Sequence, residues 1–225
     1  MLLEIENLKY KYPDGNEALK GVSFKINHGE KIALIGANGS GKSTLLLEIA
    51  GALKVQSGKI NLNGTTGLIL QDSDDQILMP SVIEDVAFNL VANGMKINEA
   101  HERAEKILRE LEIEHLKNRA PHKLSGGEKK IVSLAGILIS EPDLILLDEP
   151  TASLDLRARR RVINILREMD KAILLATHDL DMTLEICTRA IILNHGIISA
   201  SGDLQKIFAD KNLLEDNGLE LPYKI

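Results

Sequence analysis

The stretch GANGSGKST has the residue types and the spacing of a loop that holds phosphate. It follows the apolar run KIALI and precedes the apolar stretch LLLEIAGAL, so we expect a strand, a glycine loop and a buried helix in that order. Glycines let successive backbone N–H groups point at an anion, and the helix N-terminus adds a partial positive charge. In this pattern Lys42 reaches the β- and γ-phosphates of a nucleotide, and the Ser43 hydroxyl binds Mg²⁺.

A plain glycine turn before a helix is the simpler interpretation of this stretch. The complete motif, placed between a strand and a helix, favours phosphate binding instead. The predicted phosphate-binding residues are Gly36, Ala37, Asn38, Gly39, Ser40, Gly41, Lys42, Ser43 and Thr44.

The stretch DLILLDEP is an apolar run that ends in two acids, Asp148 and Glu149. A strand whose carboxyl end projects Asp148 at the edge of a sheet is well placed to hold a magnesium ion beside the phosphate loop. Glu149 follows directly and can act as the general base that activates an attacking water. An acidic loop after a strand is the alternative, and the phosphate motif upstream makes the catalytic interpretation the stronger one.

Bulk properties narrow the class of protein. The chain has 225 residues, 44% of them hydrophobic, which is enough for one compact domain. A net charge of -6 argues against a nucleic-acid binder, and the lone Cys187 excludes an internal disulfide and a cysteine-rich metal site. The N-terminus lacks the pattern of a signal peptide, and the longest apolar run has nine residues where a membrane span needs about 20. We therefore expect a soluble, cytoplasmic chain.

The hydrophobic pattern changes along the chain. Alternation at Leu3 and Ile5 and the apolar runs DLILLDEP, AILLAT and AIILNHG predict strands, whereas Ala104, Ile107, Leu108 and Leu111 lie on one face of a helix. Strands that alternate with helices predict an α/β domain with a mostly parallel sheet. We assign 1–71 and 141–225 to this core and 72–140 to a helical subdomain. The pair Ser81 and Glu84 predicts a capping box at one helix start.

The stretch LSGGEKK, before the next apolar helix, identifies the family. With the two motifs above, in this order, it resembles the ATP-binding cassette ATPases of ABC transporters over nearly the whole chain. That resemblance implies a P-loop NTPase core, an N-terminal antiparallel β subdomain and a helical insertion. It implies that ATP held by one subunit also contacts Ser125, Gly126, Gly127 and Glu128 of a second subunit. Glutamate replaces the family's usual glutamine at 128, so we expect its acid to face away from phosphate; S-x-x-E is also a capping box.

Three further positions match the family. Asp155, in Ser153-Leu154-Asp155, corresponds to the loop that crosses the dimer interface. His178, after the strand AILLAT, corresponds to the switch histidine that contacts the γ-phosphate; the other five histidines are expected to be solvated. Tyr12 matches the aromatic that stacks on adenine, with Tyr10, on the same face of its strand, as the alternative.

The strand GLILQ ends at Gln71, which in this family touches Mg²⁺ and the attacking water and begins the loop that meets the membrane subunit. The acids Asp72, Asp74 and Asp75 follow, and this run is similar to the ATPases of energy-coupling-factor transporters, which import vitamins, cobalt or nickel. There an acidic groove receives arginines from a transmembrane coupling protein, since arginine–carboxylate bonds are charge-assisted and bidentate. A solvated acidic turn is the alternative.

Some features depart from the family or add nothing to it. The chain ends soon after Leu221, whereas many relatives have a longer tail, and Leu156 stands where proline is common. The basic run Arg157–Arg161 is expected to be a solvated helix face.

The resemblance implies an importer ATPase of the energy-coupling-factor kind, for a metal ion or vitamin, that uses ATP and Mg²⁺. Its partners would be a second cassette, as a homodimer or a related heterodimer, a transmembrane coupling subunit, and indirectly a substrate-binding membrane subunit, with no nucleic acid. It would sit on the inner face of the cell membrane. A soluble ABC ATPase of DNA repair or translation is the main alternative, although Lys42 and Ser125 are 83 positions apart without sustained heptads and the chain has one cassette. A non-hydrolysing binding module is disfavoured because every catalytic position is occupied.

Overall fold

The computed structural model describes residues 1–71 and 77–222. They form two compact units, the first made of 1–68, 143–149 and 169–222 and the second of 69–71, 77–142 and 150–168. The predicted helical subdomain, 72–140, has boundaries close to those of the main part of the second unit. The second unit also includes 150–168, which the sequence places in the core. No helix in the described ranges is long and apolar enough to cross a membrane.

An antiparallel sheet of three strands begins the first unit. Its strands are β1 (Leu3–Lys11), β2 (Glu17–Ile26) and β4 (Ser57–Leu62), in the order β2-β1-β4. Leu3 pairs with Ile26 on one side and with Leu62 on the other. The pairing shifts between Ile5 and Leu8, where Asn7 has a φ of 48°, so buried positions change from odd to even numbers. This bulge turns Leu8 and Tyr10 into the core.

A six-stranded sheet forms the centre of the first unit. Its order is β5-β6-β7-β3-β8-β9, with β3 (Lys31–Ile35), β5 (Thr66–Ile69), β6 (Leu144–Asp148), β7 (Ala172–Ala176), β8 (Arg189–Asn194) and β9 (Ile197–Asp203). Strands β6, β7, β3 and β8 run parallel, and β9 pairs antiparallel with β8. Every residue of β6 and β7 is buried, which explains why both are continuous apolar runs. The predicted α/β class with a mostly parallel sheet is confirmed.

Four helices belong to the first unit: α1 (Lys42–Ile49), α6 (Leu180–Ile186), α7 (Leu204–Ala209) and α8 (Lys211–Asp216). Helix α1 begins after Gly41, whose φ of 107° is accessible to glycine at no steric cost. A Cβ at Gly41 would also overlap the backbone oxygen of Ala18, so this position excludes every larger residue. The absence of a side chain at Gly41 therefore allows the start of α1 to pack closely against the backbone of β2.

The second unit is helical, as the sequence predicts. Its helices are α2 (Val82–Ala92), α3 (Ile97–Glu110), α4 (Gly126–Leu138) and α5 (Leu156–Glu168). In α3 the residues Ala104 and Leu108 are fully buried, while Ile107 and Leu111 lie at the margin of the buried face.

Two predictions about this unit are wrong in detail. The hydroxyl of Ser81 donates to Glu84 Oε2 at 2.6 Å and accepts no backbone N–H, so no capping box forms at α2. The basic run after the predicted interface loop is more than a solvated face. The guanidinium of Arg161 donates to the carbonyls of Leu111 (2.7 Å) and Glu112 (3.1 Å), which stabilises the end of α3.

Candidate functional site

The ammonium of Lys42 is held inside the predicted phosphate loop. It donates to the carbonyls of Gly36 at 2.8 Å and Ala37 at 3.1 Å, and the residue is 7% exposed. Burial lowers the pKa of Lys42, and the nearby carboxylates of Glu149 and Asp148 oppose part of that effect. The cation thus lies at the N-terminus of α1, where the helix dipole also favours an anion.

The rest of the loop fits a phosphate group. Gly39 has a φ of 77°, and a Cβ at this position would meet no described atom within 4 Å, so its backbone is open to a ligand. The hydroxyl of Ser40 is buried and forms no hydrogen bond within the described residues. Backbone N–H groups, a buried cation and an unused hydroxyl together are a donor set suited to a nucleotide phosphate.

The two candidate adenine-stacking tyrosines lie in different environments. Tyr10 is 9% exposed and belongs to the core, whereas Tyr12 is half-buried at its margin. Their rings meet edge to face, with centroids 5.0 Å apart and planes at 75°. The hydroxyl of Tyr12 lies 3.0 Å from Thr44 Oγ1, the last residue of the phosphate loop. This contact favours Tyr12 for the stacking role, which stays a prediction.

Strand β6 delivers the two acids to the carboxyl edge of the sheet. Asp148 and Glu149 are each 7% exposed. Glu149 has a φ of 46°, a conformation that costs a non-glycine residue of order 1–3 kcal/mol and is concentrated at functional sites. Its backbone N–H donates to the carbonyl of Ala176 at 2.9 Å, which fixes this conformation against β7.

The carboxylate of Glu149 is oriented by the segment that follows β7. Its Oε2 accepts the hydroxyl of Thr177 at 2.8 Å, and its Oε1 accepts the backbone N–H of His178 at 2.9 Å. The Nδ1 atom of His178 lies 2.7 Å from the same Oε1, while 68% of the imidazole remains exposed. A buried carboxylate with a defined orientation can accept a proton from a water at the open side of the histidine.

Sequence reasoning missed Thr177. The residue is fully buried, and its hydroxyl oxygen also accepts the backbone N–H of Asp179 at 3.0 Å. The signal that could have found it is position, since Thr177 stands between a buried strand and the predicted His178. Strand β7 is also the direct neighbour of β6, with Ala176 opposite Asp148.

Helix α4, in the second unit, begins with the predicted capping box. The N–H of Ser125 donates to Glu128 Oε2 at 2.7 Å, and the N–H of Glu128 donates to Ser125 Oγ at 3.3 Å. The hydrogen bond from the Ser125 N–H is the main reason that the pKa of Glu128 is lowered. The other carboxylate oxygen, Oε1, lies 3.7 Å from the guanidinium of Arg119. The acid is turned back onto its own helix start. Gly127 is required because a Cβ there would overlap Ala158 of α5.

The second unit also holds the remaining described candidates. Asp155 Oδ1 accepts the N–H groups of Arg157 and Ala158, each at 2.9 Å, so this acid stabilises the start of α5. Gln71 is exposed at the bend after β5. The acids Asp72, Asp74 and Asp75 lie outside the described residues. The structure therefore gathers the loop 36–44, Tyr12, Asp148, Glu149 and His178 in the first unit, and Ser125–Glu128, Gln71 and Asp155 in the second.

A magnesium ion would depend on the nucleotide at this site. Within the described ranges, no group of three or more His, Cys, Asp and Glu side chains could hold a metal. Mg²⁺ usually binds through one or two protein oxygens, several waters and substrate phosphates. The Ser43 hydroxyl and the Asp148 carboxylate, beside the phosphate loop, are the donor types that such a site needs.

Several known proteins are similar to this chain in sequence and in fold. The family model described as ABC transporter matches residues 19–152. The energy-coupling factor transporter ATP-binding protein EcfA of Methanothermobacter thermautotrophicus is 38% identical over 239 residues, which cover 98% of this chain and 77% of that protein. The structure of cbiO1 from Clostridium perfringens, part of the ABC transporter complex cbiONQ, matches with a TM-score of 0.82 and 35% identity, covering 96% of this chain and 93% of that one.

A further solved structure bears on the reaction. The ATP-binding cassette MJ0796, a dimer in a post-hydrolysis state bound to ADP and Pi, matches with a TM-score of 0.80 and 27% identity, covering 90% of this chain and 99% of that one. ADP and Pi are the products of ATP hydrolysis. The family model spans more than half of this chain, and its range includes the phosphate loop, Asp148 and Glu149. The chain belongs to the ABC transporter family, as an ATP-binding cassette that hydrolyses ATP.

Proposed function

We propose that this ATPase powers an importer of the energy-coupling-factor kind, whose cargo is a metal ion or a vitamin. The observation that carries the proposal is similarity to EcfA and to cbiO1 over nearly the whole chain, 98% and 96% of it respectively. EcfA is named for an energy-coupling-factor transporter, and cbiO1 is described as part of the ABC transporter complex cbiONQ. The proposed direction of transport, import, is inferred from this similarity alone.

Hydrolysis is assigned to groups of the first unit and to Gln71 of the second. The loop 36–44 binds the triphosphate, and Tyr12 stacks on adenine. Bound Mg²⁺ would supply charge neutralisation at the phosphates, held by Ser43 and Asp148. Gln71, in the second unit, is assigned its predicted role in hydrolysis as part of the same proposal. Glu149 accepts the proton of the attacking water, and it is held for this task by Thr177 and by His178, at 2.8 Å and 2.7 Å.

Two cassettes would work as a pair, either two copies of this chain or this chain and a related one. The start of α4 in one cassette would bind the γ-phosphate of the ATP held by the other, through the residues Ser125, Gly126, Gly127 and Glu128. The helix dipole suits that role, together with the first N–H groups of α4 that the capping box does not use. Asp155 would stabilise the loop before α5, which lies at the same proposed interface, because its Oδ1 accepts the backbone N–H of Arg157 at 2.9 Å.

Docking to a transmembrane coupling subunit is assigned to the loop that starts at Gln71 and includes Asp72, Asp74 and Asp75. Among the described residues that follow in the sequence, Leu78 is 75% exposed and Phe88, in α2, is 44% exposed. A sequence that combines acids with exposed apolar side chains suits a partner helix with arginines and a hydrophobic face. The chain would then lie on the inner face of the cell membrane, held by its partners, and contact the substrate-binding subunit indirectly.

The test is a tagged pull-down from detergent-solubilised native membranes, with mass spectrometry of the captured proteins. The double reversal Asp74→Lys/Asp75→Lys runs beside the wild type. A matched reversal on α3, Glu99→Lys/Glu102→Lys, controls for net charge, because both residues are exposed. We expect a multi-span protein with arginine-bearing cytoplasmic helices to be captured by the wild type and by the α3 control, and lost with the acidic-loop variant.

Two other results would contradict the proposal. Capture of soluble partners without a membrane protein would favour the alternative, a soluble ABC ATPase of DNA repair or translation. Equal capture of a membrane protein by the wild type and the Asp74/Asp75 variant would remove the docking role of the acidic loop.

A further inference from the structure

Lys130, on the second turn of α4, is a buried cation that the ATPase mechanism above does not use. The residue is 2% exposed, and lysines are almost never this buried unless their charge is paired. Its ammonium donates to two consecutive carbonyls, Leu70 O at 3.0 Å and Gln71 O at 2.9 Å. Both carbonyls belong to the segment that leaves β5, so one side chain joins this segment to the middle of α4.

The geometry of these two bonds depends on a bend. Along an extended strand, neighbouring backbone carbonyls point to opposite sides, so one ammonium cannot bind both of them. Strand β5 ends at Ile69, and the backbone bends at Gln71. Lys130 therefore binds the backbone at the place where the chain stops being a strand. The carbonyl of Gln71 is held toward α4 while the side chain of Gln71 stays exposed.

The same helix begins with the residues assigned to the γ-phosphate of a partner's ATP. Ser125 lies five positions before Lys130 in α4, which corresponds to about 7–8 Å along the helix axis. The two bonds from Lys130 therefore connect the backbone of Gln71 to the helix whose first turn carries those residues.

We propose that Lys130 is a positioning residue, which fixes the backbone of Gln71 for the role proposed for that residue in hydrolysis, and which links this backbone to the start of α4. The inference rests on the proposed role of Gln71 in hydrolysis. Its physical basis is that hydrogen bonds from an ammonium are stronger than those between neutral groups, so the bend has one favoured geometry. Lys130 itself touches neither ATP nor water in this account.

The test is a double-mutant cycle on the purified full chain, with ATP hydrolysis measured for the wild type, Lys130→Met, Gln71→Ala and the double variant. Methionine keeps a similar length and removes the donors. It leaves the carbonyls of Leu70 and Gln71 without their ammonium partner, so the folding of the variant is checked first by circular dichroism. We expect Lys130→Met to lower kcat about 10-fold, since small displacements of positioned groups cost this much, with KM for ATP within about twofold. In the Gln71→Ala background the same change should alter kcat by less than about twofold, because its effect passes through Gln71.

Two variants separate positioning from a general effect on structure. Lys106→Met removes an exposed lysine of α3 in the same unit, and it should leave kcat unchanged. Lys130→Arg keeps a cation with several donors and should retain at least about half of the wild-type kcat. If Lys130→Met does not fold, Lys130→Gln, which keeps one amide donor, replaces it in the same cycle with the same expectations.

Each contrary result overturns a defined part of the account. Wild-type kcat in Lys130→Met, an equal loss in both backgrounds, or a loss in Lys130→Arg as large as that in Lys130→Met would refute the positioning role while leaving Gln71 in place. Wild-type kcat in Gln71→Ala would instead remove the proposed role of Gln71, and the inference with it. The membrane pull-down is independent of both outcomes, because it measures docking and not hydrolysis.

Discussion

The Nδ1 atom of His178 lies 2.7 Å from Glu149 Oε1, and the backbone N–H of the same histidine donates to that oxygen at 2.9 Å. The hydroxyl of Thr177 donates to the other oxygen, Oε2, at 2.8 Å, so two consecutive residues bind both oxygens of the carboxylate. These contacts depend on the parallel pairing of β6 with β7, which places Asp148 opposite Ala176. Glu149 and His178 are thus brought together by strand register, across 29 positions of sequence.

Replacing this histidine should impair chemistry more than binding. His178→Ala removes one of the three contacts of the Glu149 carboxylate and leaves Thr177 and the backbone N–H in place, so the fold should persist. We expect kcat to fall about 100-fold or more, with KM for ATP changed by a few-fold at most. Steady-state ATP hydrolysis measures both, and His28→Ala, at an exposed histidine of the same unit, is the control. A variant with wild-type kcat would show that His178 does not orient the base.

The phosphate loop should lose its affinity for nucleotide when its cation is removed. Hydrogen bonds from charged groups contribute about 1.5–3 kcal/mol, so Lys42→Ala should weaken ATP binding about 10- to 100-fold. Isothermal titration calorimetry at constant Mg²⁺ measures the Kd. Lys59→Ala, on the exposed face of β4, should bind ATP like the wild type. Equal affinity of Lys42→Ala and wild type would contradict the role of the loop.

The glutamate of the α4 capping box should weaken the pairing of two cassettes. Glutamine can serve at the same capping position, so Glu128→Gln should keep the bond to the Ser125 N–H while removing one negative charge from the helix start. A charge at a helix terminus is worth about 0.3–1 kcal/mol, so ATP-dependent dimerisation should tighten about two- to fivefold. Light scattering in the Glu149→Gln background measures it, with Glu102→Gln as the control. A weaker dimer would mean that Glu128 itself assists the interface.

The buried carboxyl of Glu48 predicts a pH dependence of stability. The residue is 2% exposed, and neither oxygen forms a hydrogen bond of ordinary geometry with the described residues. Burial raises the pKa of Glu48 from 4.5 to about 7, and the backbone N–H of Gln56 offsets only part of that shift. Because the folded state binds the proton more tightly, the stability that this proton contributes is complete below pH 4.5 and is lost as the pH rises through 7.

Glu48→Gln removes this titration while keeping the shape of the side chain. The melting temperature of the variant relative to wild type should therefore rise between pH 5 and pH 8, by about 2 °C or more for a chain of this size. Thermal unfolding at a series of pH values measures the difference. Parallel profiles of variant and wild type across this range would contradict an ionisable, buried Glu48.

Local patterns were sufficient to predict much of the fold and of the first unit's site. The strands β6 and β7 are continuous apolar runs because both of their faces are buried, and the chemistry-bearing residues follow them directly. Parallel strands end at one edge of a sheet, which is why Glu149 and His178 could be expected to meet. The start of α4 was predicted as a capping box, and it is one.

Other contacts could not be predicted because they depend on distant parts of the chain. Lys130 meets the carbonyls of Leu70 and Gln71 across about 60 positions, and no spacing in the sequence indicates such a bond. The pattern S-x-x-E occurs twice, but at Ser81 the hydroxyl binds the glutamate and no N–H, since the two side chains can satisfy each other locally. The roles of Gln71, Asp155 and the acidic loop stay predictions.

Glu149 is the group proposed to accept the proton of the attacking water in this ATP-hydrolysing cassette. The most direct test follows the fate of radiolabelled ATP on Glu149→Gln with Mg²⁺, because one measurement reports both binding and cleavage. We expect the variant to bind ATP as the wild type does and to convert it to ADP at least about 100-fold more slowly. Conversion to ADP at the wild-type rate would contradict the claim, because the carboxylate that Thr177 and His178 hold would then be dispensable for the reaction.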